Sequence, residues 1–281
     1  MSDHTVNSID GRAVRMHTMH TTAGELAYED TGAGPAVVLL HANLHDHHDF
    51  DPIVPALAAE HRVIAVDWPG HGASEPNPNV TAVGFADALV ELVAALELDS
   101  AVFLGNSVGG FAAARLALDH PERVAGLVLV NTGGFVRQSP LTRAYCNLYG
   151  SGPVARYWLP RSVRNYTKPM SPHDDAVIER AIRFGATDTG RATYSALWHS
   201  FNDPGYDLTA RAPEITAPTL IVWGSRDPIL PLRYGKLAHA LIPNSQLHVL
   251  PTGHLPFSSA PQEFLDLVLP FLRNSVASRE S

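Results

Sequence analysis

Three residues of this 281-residue chain have the types, order and local setting that acyl-transfer chemistry needs: Ser107, Asp227 and His254. Ser107 lies in Gly105-Asn-Ser-Val-Gly109, followed by Gly110. The segment comes directly after an apolar run at residues 101–104 and opens an Ala- and Leu-rich stretch at 108–119. G-x-S-x-G between a strand and a helix reads as a nucleophile elbow, a turn too tight for side chains at its glycines that lifts the serine hydroxyl above the sheet. The N-terminus of the helix behind it favours negative charge. A hydroxyl is a weak nucleophile, so it needs a base, and the base needs a partner that fixes its tautomer.

The chain supplies both after apolar runs. Asp227 stands in Gly224-Ser-Arg-Asp227-Pro228, just past residues 219–223. His254 stands in Pro251-Thr-Gly-His254, just past residues 246–250. In open α/β sheets, catalytic groups gather beyond the carboxyl ends of the strands. Taken singly, Asp227 reads as a turn residue before a proline and His254 as a solvated loop histidine. Taken together, type, order and topology favour a triad.

The elements that must hold these residues show in the hydrophobic pattern. Runs at 36–40, 62–66, 101–104, 124–130, 219–223 and 246–250 are mostly continuously apolar. Strands buried on both faces look like this, which implies a parallel sheet covered by helices. Residues 13–19 and 25–30 flank Thr22-Ala-Gly24 and read as an antiparallel hairpin at one edge. Helical periodicity appears at 81–97, where Phe85, Leu89, Leu92, Val93 and Leu96 share a face, and again at 108–119, 232–241 and 261–272. This alternation is an α/β pattern. Residues 137–211 contain no convincing strand and are too many for an ordinary connection. Fragmentary helix patterns at 174–184 and 191–201 make the stretch a helical cap inserted into the core. The expected organisation is core over 1–136, cap over 137–211, and core again over 212–281.

Composition removes several function classes. Hydrophobic residues are 45% and charged residues 17%, a globular balance. Lys+Arg number 20 against Asp+Glu 28, a net charge of −8 with no basic block, which argues against nucleic acid or an anionic membrane as partner. Cys146 is the only cysteine, so no intrachain disulfide or thiolate zinc site can form. No apolar run approaches the ~20 residues that span a bilayer. Residues 1–15 are polar and show no signal-peptide core, so a cytoplasmic protein is expected. One segment is dense in His41, His45, Asp46, His47, His48 and Asp49. These residue types bind metals, but consecutive loop positions do not aim them at one point. The segment reads as a hydrophilic active-site rim, with no metal or cofactor.

On the elbow, the Ser–Asp–His order and Asp67-Trp-Pro-Gly-His-Gly-Ala-Ser74, the chain resembles the capped members of the α/β-hydrolase family. The last segment is similar to that family's D-x-x-G-x-G-x-S loop, where Asp67 and His71 would be scaffold. The resemblance implies a mostly parallel eight-stranded sheet flanked by helices. The family carries His-Gly after its first parallel strand. Here the segment is His41-Ala-Asn-Leu44, with Ala42 in place of the glycine. By resemblance, the oxyanion hole would use the backbone N–H of Asn43, or secondly Leu44, together with that of Val108. His41, Trp158, Tyr194, Trp198 and Leu255 are candidates to line a substrate pocket. Arg180, Arg183 and Arg191 could hold a carboxylate or form a solvated face.

These features lead to a serine hydrolase that cleaves an ester of a small organic molecule through an acyl-enzyme. A close alternative is a C–C bond hydrolase, because Gly-Asn-Ser-Val-Gly-Gly resembles the elbow of enzymes acting on ring-cleavage products. Those enzymes tend to carry Trp where this chain has Leu255. Two other readings on the same fold stay open: a cofactor-free dioxygenase, which His45-Asp-His47 resembles, and a non-catalytic ligand-binding protein, which Ala42 favours. The expected partner is a small-molecule substrate, and a homodimer is left open.

Overall fold

The computed structural model describes residues 2–5 and 15–277. Its centre is one sheet of strands β1 (Ser2–Thr5), β2 (Arg15–Thr21), β3 (Gly24–Gly32), β4 (Ala36–Leu40), β5 (Arg62–Asp67), β6 (Ala101–Asn106), β7 (Val124–Val130), β8 (Thr219–Gly224) and β9 (Ser245–Leu250). They lie in the order β1-β2-β3-β5-β4-β6-β7-β8-β9. The six strands from β5 across to β9 are parallel, and β1, β2 and β3 are antiparallel at one edge. Strands β2 to β9 make the eight-stranded, mostly parallel sheet of an α/β-hydrolase. The polar strand β1 lengthens its edge by one. The expected hairpin is β2–β3, with residues 13 and 14 outside the described residues.

The helices are α1 (Val54–Leu57), α2 (Ala82–Ala95), α3 (Val108–Asp119), α4 (Pro140–Tyr149), α5 (Leu159–Thr167), α6 (Pro172–Gly185), α7 (Asp188–Ser200), α8 (Arg233–Leu241), α9 (Pro256–Ser259) and α10 (Pro261–Ala277). The continuous apolarity of the strands has its cause here, because both faces are covered. Val38 and Leu40 of β4 join one cluster with Phe85, Leu89 and Phe111 from α2 and α3. The alternate residues Val37 and Leu39 join the opposite cluster with Phe50, Phe264 and Leu272. At the far edge β9 is only partly covered, and it is the strand that carries Gln246 and His248.

Helices α4 to α7 form the insertion between β7 and β8. Ser139 and Ser171 each close a capping box with the third residue of α4 and α6, satisfying free N–H groups at both starts. The two helices expected at 174–184 and 191–201 are α6 and α7. Helices α4 and α5 lie outside the segments expected to be helical; α4 buries no residue fully, and its Leu141 is 79% exposed. Strand order reverses between β4 and β6, so the loops after these two strands diverge and leave a crevice at the carboxyl edge of the sheet.

Candidate active site

The elbow sits at that crevice. Ser107 joins β6 to α3 with φ 56° and ψ −116°, a backbone conformation that few non-glycine residues adopt. Hydrogen bonds hold it there. Its N–H donates to Val130 O at 3.1 Å, and its carbonyl accepts from Phe111 N at 3.1 Å and Gly133 N at 2.9 Å. A Cβ on Gly109 would stand 2.2 Å from Leu40 O, and one on Gly105 would stand 2.4 Å from Gly109 O. The two glycines of the motif therefore let α3 close against the end of β4, which brings the loop after β4 beside Ser107.

Asp227 and His254 arrive from β8 and β9, whose last residues Gly224 and Leu250 pair in register. Asp227 Oδ2 lies 2.6 Å from His254 Nδ1, and both residues are buried. The same oxygen accepts from Asn131 Nδ2 at 2.7 Å. Oδ1 accepts from Ile229 N at 2.8 Å and Leu230 N at 3.2 Å. Four donors thus surround one carboxylate and fix its orientation. Asn131 is fixed in turn by Gly224 N, which donates to its Oδ1 at 2.8 Å. Its φ of 39° is left-handed, where asparagine is among the more tolerant side chains. Its hold on Asp227 joins residues 96 apart and leaves no local signal.

His254 is also gripped by the insertion. Its N–H donates to Tyr166 O at the end of α5 at 2.9 Å. The Tyr166 ring stands edge-on to the imidazole with centroids 5.6 Å apart. A Cβ on Gly253 would meet Thr167 O at 2.2 Å, so the residue before the histidine must be small for α5 to approach.

Ser107 and His254 line one cavity of about 330 Å³. The loop 42–45 forms one wall, the insertion residues Tyr145, Tyr194 and Trp198 another, and Leu230 a third. Three of the expected lining residues lie elsewhere. His41 is fully buried under the loop, where its Nε2 accepts from Trp68 N at 3.1 Å and its carbonyl from Trp68 Nε1 at 2.9 Å. Burial pushes its pKa down to about 4, against the pull of Asp67, so it is a neutral fixture of the loop. Leu255 points into the apolar core with Phe257. Trp158 ends a π-helical turn, Val154–Trp158, is 61% exposed, and borders a separate outer groove.

Of the candidate oxyanion donors, Asn43 and Leu44 line the cavity, and Val108 directly follows Ser107, which also lines it. Asn43 and Leu44 follow β4, Leu44 has φ 73°, and Val108 is the first residue of α3. His45 N–H closes the turn onto Ala42 O at 3.3 Å. The Asn43 side chain is occupied, with Nδ2 3.4 Å from Tyr194 O and Oδ1 3.4 Å from His71 Nε2. The backbone N–H groups of Asn43, Leu44 and Val108 meet no acceptor among the described residues.

The histidine-rich segment, expected as a hydrophilic active-site rim, brings His45 to the cavity and turns its other buried members towards the core. His45, His47 and Asp49 are buried. His47 N–H donates to Asp67 Oδ1 at 2.8 Å, its Nδ1 is 2.7 Å from Asp67 Oδ2, and its Nε2 is 3.3 Å from Glu29. Burial works against the charge of His47, but Asp67 and Glu29 outweigh it and raise the pKa to about 11. Burial likewise opposes ionisation of Asp67, yet the neighbouring His47 and a bond from Ala73 N at 2.8 Å bring it down to about 2. Arg180 of α6 reaches Asp46 at 3.2 Å and Asp49 at 3.0 Å. The segment therefore ties β3, β5 and the insertion together. Consecutive polar residues looked like one wet surface because their partners are distant in sequence. Arg180 is thus a tether, while Arg183 and Arg191 pair with Glu179 and Asp188 of their own helices.

Comparison with known proteins agrees with this architecture. A family described as the alpha/beta hydrolase fold matches residues 35–261, and the chain belongs to it. It is 32% identical over 253 residues to the pimeloyl-[acyl-carrier protein] methyl ester esterase of Nitrosomonas europaea, covering 84% of this chain and 95% of that one. It is 30% identical over 267 residues to the 2-hydroxy-6-oxononadienedioate/2-hydroxy-6-oxononatrienedioate hydrolase of Cupriavidus pinatubonensis, covering 87% and 89%. Among solved structures, a thermophilic esterase from Thermogutta terrifontis superimposes with a TM-score of 0.78 at 27% identity, covering 92% of this chain and 98% of that one. Among the described residues no helix is long and apolar enough to cross a membrane.

Proposed function

We propose that this protein is a serine hydrolase that cleaves ester-type bonds of small organic molecules. The observation that carries the reading is the meeting of three groups. The strained Ser107 shares a cavity with His254, and His254 has one nitrogen 2.6 Å from the buried Asp227. Asp227 holds the proton of His254 on Nδ1, which leaves Nε2 as the base. His254 takes the Ser107 proton as Oγ attacks the carbonyl carbon. Charge on the carbonyl oxygen is met by the N–H of Val108 and of Asn43, with Leu44 second. A donor of this kind stabilises the transition state by about 3–4 kcal/mol. The imidazolium then protonates the leaving group, and water activated by the same histidine releases the acid. Residues 137–211 act as the cap, whose aromatic side chains shape the acyl site.

A second reading, hydrolysis of a C–C bond with a stabilised carbanion as leaving group, draws on the 30% identity to the hydrolase of Cupriavidus pinatubonensis. It needs the same acyl-enzyme. The test common to both is intact mass after treatment with a fluorophosphonate. One adduct is expected on the protein and none on Ser107→Ala, which should also lose turnover by a factor of about 10⁶. An adduct on the variant, or turnover near the wild-type rate, removes Ser107 as nucleophile. A panel of esters, lactones and ring-cleavage products then separates the two readings.

A further inference from the structure

The loop that presents Asp227 goes on to form part of the cavity wall before α8 begins. Leu230, Arg233 and Tyr234 all border the cavity. Asp227 is buried at one end of this stretch and Arg233 is exposed at the other. Arg233 therefore stands where the cavity opens, as does Leu141 of α4, which also lines it and is 79% exposed. No aspartate or glutamate among the described residues belongs to the lining. Burial raises the pKa values of Tyr145, Tyr166, Tyr194 and Cys146, which leaves these lining groups uncharged near neutral pH. Apart from His45 and His254, the one ionisable lining side chain that is charged at neutral pH among the described residues is Arg233. A guanidinium stays protonated at every working pH and can only donate.

The guanidinium is held against the cavity rather than paired elsewhere. Its Nη2 donates to the Tyr234 hydroxyl at 3.1 Å, and its central carbon lies 4.7 Å from the centroid of the Tyr234 ring. That ring itself lines the cavity, so the stacking lays the cation along the wall. Arg180, Arg183 and Arg191 of the insertion all pair with acids. Arg233 forms no ion pair among the described residues, and its other N–H groups meet no acceptor there. Helix stability does not account for it either. Arg233 is the first residue of α8, whose first turn carries no acid, and a cation at that end opposes the helix dipole.

We propose that Arg233 is a specificity contact for esters that carry a carboxylate at the end remote from the scissile bond. The proposal rests on the hydrolase reading above. With the ester carbonyl at Ser107, the rest of the molecule passes the aromatic wall, and its carboxylate meets the guanidinium where the cavity opens. The planar fork of N–H groups matches the two carboxylate oxygens. The chain carries a net charge of −8, so the protein as a whole disfavours an anionic substrate. A preference for one therefore needs a local cation, which a merely solvated arginine outside the cavity would not supply.

The test compares kcat/KM for the monomethyl esters of the dicarboxylic acids from succinic to suberic with their ω-carboxamide counterparts, which have the same size and no charge. A second series, the butanoate esters of ω-hydroxy acids against those of the matching ω-hydroxy amides, places the carboxylate on the alcohol side. The wild type should prefer the carboxylate by about three- to fivefold at one or more chain lengths, the range of an exposed but oriented pair. That preference should shrink towards one as salt rises from about 50 mM to about 500 mM. Arg233→Gln should remove it, and Arg233→Glu should turn it into a preference for the amide. A purely structural role would lower both members of a pair equally. Thermal unfolding checks that each variant folds, and either variant alone suffices. The proposal is overturned if the wild type prefers the carboxylate in neither series, if it turns over none of these esters while a fluorophosphonate labels Ser107, or if the folded variants keep the wild-type ratio. Failure of the label on the wild-type protein would instead bring down the hydrolase reading.

Discussion

His254–Asp227 and His47–Asp67 are both buried histidine–carboxylate pairs, with contacts of 2.6 and 2.7 Å. Only one is placed for the proposed chemistry, and the difference lies at the other ring nitrogen. Nε2 of His47 faces Glu29, so the imidazole stands between two carboxylates and is held protonated, with a pKa near 11. Such a group can neither take a proton near neutral pH nor reach Ser107. Nε2 of His254 meets no partner among the described residues, and the side chain borders the cavity beside Ser107. A carboxylate partner orients an imidazole. An open second nitrogen at the edge of a cavity is what the proposed role of His254 as base requires. His45–Asp49 stands between the two, since its Nε2 is engaged by a tyrosine that itself lines the cavity.

Substitutions can break or sharpen this contrast. The largest difference should come from Asp227→Asn against Asp67→Asn. The first should lower kcat by about 10⁴ by favouring the wrong tautomer of His254, with little change in folding. The second should leave the chemistry of the folded protein nearly intact and act on stability. Similar kinetic losses in both would end the distinction.

Asn131→Asp is the next step down. It sets a second carboxyl against Asp227 Oδ2, 2.7 Å from the present amide. Like charges at that distance raise carboxyl pKa values, and the added negative charge also favours the imidazolium of His254. The acid limb of the pH–rate profile should therefore move to higher pH, with an order-of-magnitude loss of kcat near neutrality. An unmoved limb would mean that Asn131 only shapes the backbone.

His47→Gln should instead cost about 3–5 kcal/mol of stability, the usual result of removing one member of a buried pair. The sign of its pH dependence is set by the shifts. His47 is raised from 6.5 to about 11, so its contribution is full below about pH 6.5 and falls as pH rises towards 11. Asp67 is lowered from 3.8 to about 2, so its contribution is full above about pH 4 and falls as pH drops towards 2. Urea unfolding at a series of pH values should show the gap between wild type and variant narrowing on the alkaline side. A gap that widens there would refute the charged state of His47. Arg183→Met, at an ion pair whose two side chains are more than 70% exposed, should change stability by less than about 0.5 kcal/mol and leave kcat unaltered.

Some of this is legible in the amino-acid order alone. The elbow, the acidic and basic positions past β8 and β9, and the parallel strands rest on short segments whose patterns carry their own meaning. A continuous apolar run needs cover on both faces wherever it is found. Tyr194 and Trp198, read only from their types and place in the insertion, do border the cavity. Trp158, from an equally aromatic stretch of the insertion, does not: it ends a π-helical turn and is 61% exposed. Nothing in its neighbours marks that turn. The histidine segment misleads for a related reason. Residues 45–49 look alike in sequence, yet one faces a tyrosine of α5, one an aspartate of β5, and one an arginine of α6.

The sequence by itself determined the class of sheet, the position of the elbow, and the order in which nucleophile, acid and base candidates follow their strands. These depend on local conformational preference and on burial, which each segment carries within it. Only the tertiary structure decided which histidine keeps a free nitrogen at the cavity, which asparagine holds the acid, and which insertion aromatics face inward. Those outcomes depend on contacts between residues tens to more than a hundred positions apart. The free energy of such a contact belongs to the pair and to its burial, and neither exists until the chain has folded.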